Sequence, residues 1–518
     1  MKSYWRTETG IFLGIWLILM FTGRDSFFND PGSFWHVKVG QNILSSGQLP
    51  HTDTFSFTRA GQPWIANQWL GECVLAVLDY LGGQDTLLLA TVTVLACMYT
   101  WVAHRLLRAG LHPLLAILIM VLAILASAYH FHPRPHLITI LFLGLLFAGL
   151  CDFEAGRLPL WRLFWLVPLF VIWCNVHGGV LGGLGTLGIV VAGWGLAKLV
   201  GWPSPLASYR QLIPLGILVL ACGLTIFVNP YGLDMARSWF AVLGSEVVAR
   251  FMDEHKPLLE SGSAGLTVLL FGLFYGLALI GVLPMRPRLT WLLPLLWLAL
   301  AWRSIRHGPL FAITAVIALA DIFPNVRWAT WLAERGSAVF RIRKVEGGAR
   351  ERGSVERAPR FALLRSCALP VLLVLVALVL QVAAVPVPIL GHGWVQASSP
   401  ACPAELLPDL EKGQWQRPGG TPIFNDMLYG GFLIYYTPGF RVFIDDRCEL
   451  YGDDFLKDNY GEAMLKKPAK INDWAEEFGF NLALVQRNSR MERFLRDAAG
   501  WVLVHQTSEA ALYRRVTL

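Results

Sequence analysis

The chain has 518 residues, of which 55% are hydrophobic and only 15% charged. That much apolar surface excludes a soluble globular fold, and repeated apolar runs of spanning length make the chain polytopic. The formal net charge of +7 is no nucleic-acid signature, because the basic excess collects in one loop, Arg327 to Arg360, where nine Arg and Lys face four Glu.

The first apolar run, Gly10 to Phe21, follows Lys2 and Arg6. No small-x-small cleavage site follows it, so it reads as a retained helix rather than a signal peptide. A dense polar segment comes next: Asn29-Asp30-Pro31-Gly32-Ser33-Phe34-Trp35-His36, then Leu49-Pro50-His51-Thr52-Asp53-Thr54-Phe55-Ser56, then Pro63-Trp64 and Gln68-Trp69-Leu70-Gly71-Glu72. Ionisable groups at the edge of a bilayer are costly and are functional candidates. Asp30 is the leading catalytic candidate. A carboxylate there serves as general base toward a hydroxyl, or stabilises a developing positive sugar centre. Asp30 before Pro31 equally suits a helix N-cap. His36 falls on a helix predicted from Phe34 to Leu44. Asp53 is a second candidate acid, with an Asx turn after Pro50 as its competing role. Gln68 and Glu72 share one helical face. Glu72 is the third candidate acid, on a short stretch, 67–82, that reads as an interfacial or re-entrant helix.

Spans are predicted at 9–24, 85–107, 112–129, 134–152, 160–176, 178–199, 210–228, 264–283, 288–303, 306–323 and 361–386. With the N-terminus inside and 67–82 not crossing, about eleven crossings put Arg105/Arg108, Arg157/Arg162, Lys198/Arg210, Arg286/Arg288 and the 325–360 loop on the cytoplasmic side. The polar motifs then share the outer face: the 24–66 loop, His130 to His136, Trp173 to Gly179, Asn229-Pro230-Tyr231-Gly232, the 229–262 loop with Asp253, Glu254 and His255, and Arg303 to Gly308. His132, Arg134, His136, His177, Arg303, Arg306 and His307 read as an anion site, since the guanidinium fork matches phosphate oxygens and histidine adds a donor. Snorkelling to lipid phosphates is the competing role. Pro-Arg-Pro and His-Gly-Gly suggest broken helix ends, which in membranes line cavities.

Pro386 and Pro388 mark a linker that closes a membrane domain, 1–388. Residues 389–518 alternate strand candidates (Pro422–Phe424, Arg441–Ile444, Leu482–Val485, Trp501–His505, Ala511–Tyr513) with helical stretches near 453–466, 471–479 and 489–498. The pattern predicts an extracytoplasmic α/β domain. Asn425-Asp426 and Asp445-Asp446-Arg447 at strand ends either bind ligands or cap turns. Cys402 and Cys448 lie in this region, and the sequence leaves their pairing open. No Cys/His spacing suggests structural zinc. No Walker motif, Gly-rich phosphate loop or Ser-His-Asp signature occurs, which argues against an ATP-driven pump.

Asp30-Pro31 with Trp35-His36 and Gly40, Pro50-x-x-Asp53-x-Phe55-Ser56, Pro63-Trp64 and Trp69-Leu70-x-Glu72 resemble a bacterial family of polytopic C-type (GT-C-like) glycosyltransferases with a C-terminal extracytoplasmic α/β domain. Arg134-Pro135-His136, Trp173-x-Asn175-x-His177-Gly178-Gly179, Asn229-Pro230-Tyr231-Gly232, Asn425-Asp426-x-x-x-Gly430-Gly431 and Val442-Phe443-Ile444-Asp445-x-Arg447-x-x-Leu450-Tyr451 match its later motifs. The resemblance covers nearly the whole chain. It implies an inverting glycosyltransferase of the bacterial inner membrane, N-terminus cytoplasmic, that moves a sugar from a polyprenyl-phosphate donor to an extracytoplasmic acceptor. The partners implied are membrane lipid and the polyprenyl-phosphate-linked sugar, with no nucleic acid. Asp30 maps to the catalytic acid of the first outer loop. Many relatives read Asp-Pro-Asp; Gly32 replaces the second acid, which disfavours a divalent metal, and no cofactor is expected. Two other classes fit the same residues: a transporter or flippase of lipid-linked precursors, and a non-catalytic assembly protein of the cell envelope. Missing inverted repeats and missing mid-span acids weigh against transport.

Overall fold

The computed structural model describes residues 7–244, 253–342, 360–396, 398–415 and 417–516. Residues 343–359 of the basic 325–360 loop lie outside the described residues. The membrane part is a bundle of helices: α1 (Thr7–Ser26), α2 (Gly32–Ser46), α3 (Trp69–Arg108), α4 (Pro113–Leu125), α5 (His136–Glu154), α6 (Leu166–Val176), α7 (Val180–Leu199), α8 (Leu212–Leu224), α9 (Leu233–Gly244), α10 (Gly262–Ile280), α11 (Leu289–Arg303), α12 (Gly308–Ile322), α13 (Arg327–Glu334) and α14 (Arg360–Val382). Among the described residues, six helical segments are long and apolar enough to cross a membrane: Trp69–Arg108, His136–Glu154, Val180–Leu199, Tyr209–Phe227, Gly262–Ile280 and Ile305–Asn325. Shorter apolar helices pack beside them. Leu118, Ile189, Ile217, Leu220 and Leu273 are exposed, as hydrocarbon-facing residues must be. The chain is a multi-pass membrane protein.

The stretch 67–82 is neither a loop nor a separate element. It enters α3 at Trp69 and runs to a break at Gly82 (φ −172°) and Gly83 (φ 66°, ψ −146°), after which the helix resumes to Arg108. The positive φ at Gly83 is what only glycine adopts freely. The polar half, with Glu72 and Asp79, packs on α2; the apolar half packs on α1 and α14. Helices α2 and α3 touch at Gly40, where an added Cβ would lie 2.0 Å from the Glu72 carbonyl oxygen.

At one end of the bundle, carboxylates and arginines interlock. Arg105 forks onto Asp152 at 2.8 and 3.0 Å, and Arg157 joins Asp152 to Asp321. Glu154 receives the Trp194 indole and the first backbone amides of α11. The other end carries the conspicuous sequence motifs and the second domain.

That domain is a five-stranded sheet, β1 (Thr421–Asn425), β2 (Phe440–Val442), β3 (Leu482–Gln486), β4 (Trp501–Gln506) and β5 (Ala510–Arg515), in the order β2-β1-β3-β5-β4. β1 runs parallel to β2 and β3; β5 is antiparallel to β3 and β4. Helices α15 (Met427–Tyr436), α16 (Lys470–Phe478) and α17 (Arg490–Asp497) complete it. The strands coincide with the predicted apolar runs. α15 was unforeseen, because its Leu-Tyr-Gly-Gly-Phe-Leu-Ile-Tyr-Tyr sequence has no helical period. Its glycines explain themselves structurally. Gly430 lies against Asp445, and a Cβ on Gly431 would come within 2.0 Å of the Pro31 carbonyl oxygen. Cys402 and Cys448 are both buried and unpaired.

The domain is fused to the loop between α2 and α3 rather than tethered beside it. Phe57 N donates to the Val442 carbonyl at 3.1 Å and Val442 N to the Phe55 carbonyl at 3.0 Å. Residues 55–57 thus extend the sheet past β2. Tyr435 donates to Asp79, and Asp85 receives the amides of Gly393 and Val395, pinning the linker. At the centre, Arg447 bridges Asp53 at 2.8 Å and Asp445 at 2.7 Å, with all three side chains fully buried. Removing that guanidinium leaves two buried carboxylates unpaired, a loss of about 3–5 kcal/mol. Arg447→Met is expected to lower the thermal midpoint of the detergent-purified protein sharply. Pairing it with Asp53→Asn and Asp445→Asn should recover part of the loss.

Candidate active site

The motif-bearing end of the bundle gathers its polar residues around two arginines. Arg134 sits in the short connection before α5. Its Nη1 donates to both oxygens of Asp30, at 3.0 and 3.1 Å. Both side chains are about four-fifths buried. Asp30 is therefore not the side-chain cap of α2: Pro31 holds the N-cap position and no side chain caps that end. The carboxylate faces Arg134 instead. A Cβ on Gly32 would stand 2.7 Å from Arg134 Cζ, so the guanidinium fills the space where a second acid of an Asp-Pro-Asp motif would begin. A divalent cation does not fit this donor set, since a positive group already occupies the face of Asp30.

Asp446 is the second acid of this site. Trp35 Nε1 donates to its Oδ1 at 2.5 Å. Burial pushes its carboxyl up to about 7; Arg134 pulls the other way, and the charges of Asp30 and Asp445 add to the rise. Burial opposes the charge on Arg134, yet Asp30, Glu254 and Asp446 together hold its pKa above the ordinary arginine value.

Arg306 enters from the start of α12 and donates to His255 Nε2 at 2.6 Å. Glu254 links the two arginines. Burial resists its ionisation, but Arg306, His130 and Arg134 hold its carboxyl well below the usual range. Its oxygen lies 3.8 Å from His130 Nε2. The surrounding histidines are neutral. Burial pushes His130 down to about 4 against the pull of Glu254. Burial, with Arg306 and Arg134, takes His177 to about 3. His177 Nδ1 accepts from Gly179 N at 3.0 Å and contacts Thr139 Oγ1 at 2.9 Å. Its remaining proton is thus on Nε2. The His-Gly-Gly sequence follows from crowding: a Cβ on Gly178 or Gly179 would meet Trp239 at 2.7 Å or Thr139 at 2.5 Å.

His36 and Glu72 form a separate buried pair at 2.8 Å. His36 Nε2 and Glu72 Oε2 make no hydrogen bond among the described residues. Burial first, then Arg134, His177 and Arg447, hold the His36 ring well below its ordinary pKa. The Trp35 and His36 rings are tilted against each other, with centres 3.7 Å apart.

The structure thus brings together Asp30, Arg134, His136, His177 and Arg306, with His36 and Glu72 adjoining. The other predicted residues have different partners. Asp53 is a structural anion: Arg447 and the Phe55 amide share Oδ1, and the Ser56 amide and hydroxyl donate to Oδ2. His132 lies between the Phe27 and Tyr129 carbonyls at 3.1 and 3.0 Å. His307 stacks on Trp297, and Arg303 is exposed at the end of α11. Helical spacing hid these differences, because neighbours one or two residues apart leave a helix end in different directions. Asp446, Glu254, His130 and His255, which the motifs contain but to which sequence reasoning assigned no individual role, also belong to the site. The Ile444-Asp445-Asp446-Arg447 strand end was the available signal for Asp446.

The remaining motifs tie neighbouring segments together. Asn175 accepts from Trp69 Nε1 at 2.9 Å and donates to the Val228 carbonyl at 2.8 Å. Tyr231 of Asn-Pro-Tyr-Gly reaches the Pro50 carbonyl and the Ala66 amide.

No protein-family model and no curated protein matches the chain. Solved structures do. ArnT from Cupriavidus metallidurans bound to undecaprenyl phosphate aligns over 98% of this chain and 98% of its own, at 15% identity and a TM-score of 0.50. Its apo form aligns over 98% and 97%, at 14% identity and the same TM-score of 0.50. The archaeal oligosaccharyltransferase AglB from Archaeoglobus fulgidus, in complex with an inhibitory peptide and a dolichol-phosphate, aligns over 92% of this chain and 69% of its own, at 10% identity and a TM-score of 0.46. The chain has the membrane fold of ArnT, with the mixed α/β sheet at its C-terminal end.

Arg134's contact with Gly32 gives a mild test. Gly32→Ala needs only the flexible end of Arg134 to move, so the Asp30–Arg134 contact should open and the thermal midpoint should fall, because a largely buried pair is broken. A structure of the variant retaining the 3.0 Å contact would contradict this.

Proposed function

We propose that this GT-C-like membrane protein moves a sugar from a polyprenyl-phosphate donor to an extracytoplasmic hydroxyl, with inversion at the sugar carbon. The observation that carries the proposal is Arg134 held 3.0 Å from Asp30 with Asp446 beside them, in a fold shared with an ArnT that binds undecaprenyl phosphate. The donor phosphate would take the Arg134 fork and the field of Arg306. His177 and His136, whose rings are 6.4 Å apart, would stand beside it. As the phosphate draws Arg134, Asp30 is released from its ion pair and accepts the proton of the acceptor hydroxyl. The acceptor oxygen forms the new bond to the sugar carbon while the bond from that carbon to the phosphate oxygen breaks. Polyprenyl phosphate leaves with the electron pair, and Arg134 and Arg306 stabilise its charge. Asp446, hydrogen-bonded to Trp35, sets the field around Asp30. A flippase needs no such base, and an assembly protein needs no buried Arg-carboxylate cluster.

The deciding experiment is transfer of labelled sugar from a polyprenyl-phosphate donor by purified protein in oriented vesicles. Transfer to an impermeant acceptor is expected only when the face that is outermost in the cell is accessible. Asp30→Asn should express normally and bind donor, yet lose about 10²–10⁴-fold in rate. Full activity of that variant removes the base assignment and favours the flippase.

The Asp446 carboxyl, raised to about 7, predicts a pH dependence. Transfer should rise as the pH climbs through that value, and Asp446→Asn should flatten that limb of the kcat/KM profile. Stability runs the other way. Between the unfolded carboxyl's pKa of about 3.9 and the folded value, the native state holds a proton that the unfolded state releases. Wild-type stability from this group therefore falls as pH rises through that window, and Asp446→Asn should gain relative to wild type over the same range.

A further inference from the structure

A second cleft, of about 480 Å³, lies where the later half of α2 meets the turns 417–420 and 438–441 of the α/β domain. Among its lining residues are Lys38, Arg417 and Arg441, and no Asp or Glu. We propose that this cleft binds a phosphate group carried on the glycan acceptor.

The three cations are arranged rather than scattered. Arg441 donates from Nε to the Gly419 carbonyl at 3.2 Å and from Nη1 to the Thr54 carbonyl. Those two contacts fix the plane of its guanidinium, and its Nη2 makes no hydrogen bond among the described residues. Gly419 and Gly420 both have positive φ, 85° and 98°. A Cβ on Gly420 would lie 2.8 Å from the Arg441 stem, so the turn closes on the arginine only because glycine stands there. Arg417 is anchored through Nη1 to the Gly479 carbonyl at 3.3 Å. Among the described residues, Lys38 hydrogen-bonds only Gln41, at 3.3 Å. Asp79, which lies within the field of Lys38, is committed to Gln41 and Tyr435. Three cations without a lining counter-charge, in a concave site between two rigid parts, focus a positive field suited to a doubly charged oxyanion. The cleft is distinct from the Arg134 cluster. Phe55 lines it on one side and meets Arg447 on the other, 5.2 Å from ring centre to guanidinium, and Arg447 in turn faces Trp35.

Calling the ligand an acceptor rests on the transfer reading; the anion site itself does not. The test therefore reads binding without turnover. Asn42, exposed at the cleft, is changed to cysteine in an otherwise cysteine-free full-length protein in phosphatidylcholine nanodiscs. Its thiol labelling is followed with glucose 1-phosphate as probe and glucose as the neutral control. Glucose 1-phosphate should protect the thiol and glucose should not. Lys38→Gln and Arg417→Gln should each weaken protection by about tenfold or more, the scale of a hydrogen bond to a charged group. Arg134→Gln should leave protection unchanged, because it belongs to the other site. Protection that survives loss of both Lys38 and Arg417 cations, or equal protection by glucose, would overturn the proposal. Protection obtained from phosphatidylglycerol nanodiscs alone, with no gain from the sugar phosphate, would overturn it in favour of a lipid headgroup. Binding as described without any sugar transfer would leave the anion site standing and remove the transferase reading instead.

Discussion

The structure depends on a buried positive charge. Arg447 is fully enclosed, with Asp53 from the loop between α2 and α3 on one side and Asp445 from the α/β domain on the other. The rings of Trp64, Phe55 and Trp35 surround it at 4.6 to 5.9 Å. Such an arrangement is costly to desolvate and is tolerable only when every partner is in place. It therefore couples two segments far apart in sequence: the loop cannot hold its shape without the domain, and the domain cannot bury its own acid without the loop. The strand-like extension at Val442 and the tight approach of Gly431 to Pro31 then follow as consequences of the same docking. Asp446, the residue before Arg447, is delivered to the membrane domain's cluster by this clamp.

The cluster itself is nearly balanced. Asp30, Asp446 and Glu254 surround Arg134 and Arg306, and the histidines between them are neutral because burial and the arginines both oppose their protonation. Neutral histidine keeps one ring N–H to offer and adds no charge, so the arginines remain the only cations in the cluster. An arriving phosphate meets a site whose counter-ions are protein carboxylates. Displacing a carboxylate from a guanidinium costs less than desolvating an unpaired one, and it releases a base at the moment the phosphate is bound. On the proposed reading, donor binding and base activation are a single exchange of partners at Arg134.

Much of this was legible in the sequence. Apolar spans and the five strands follow from long and short apolar runs, and α15 escaped only because packing glycines interrupt its pattern. Asp30 and Arg134 stood out as polar residues at broken helix ends. The structure separates them from Asp53, His132, Arg303 and His307, which have the same chemistry and similar positions. Which acid is a base and which is a clamp depends on what lies opposite across the fold, and Asp53 faces Arg447 from the far end of the chain. Sequence spacing carries no information about that pairing. The glycines were equally opaque one at a time, and each became intelligible only with its neighbour: Gly32 with Arg134, Gly40 with Glu72, Gly179 with Thr139.

Helix α2 ties these features into one instrument. Asp30 precedes its first turn, His36 leaves one face toward Glu72, and Lys38 and Asn42 leave toward the basic cleft. With a rise of about 1.5 Å per residue, Asp30 and Asn42 are separated by about 18 Å along the axis. That length suits a chain of sugars better than a single one. α2 is also clamped at Gly40 to α3 and at Pro31 to α15, so the spacing between the two sites is set by backbone contacts and not by flexible side chains. A rigid helix that holds a base at one end and an anion cleft farther along would measure its acceptor, placing a hydroxyl at Asp30 only when a phosphate sits at the matching distance.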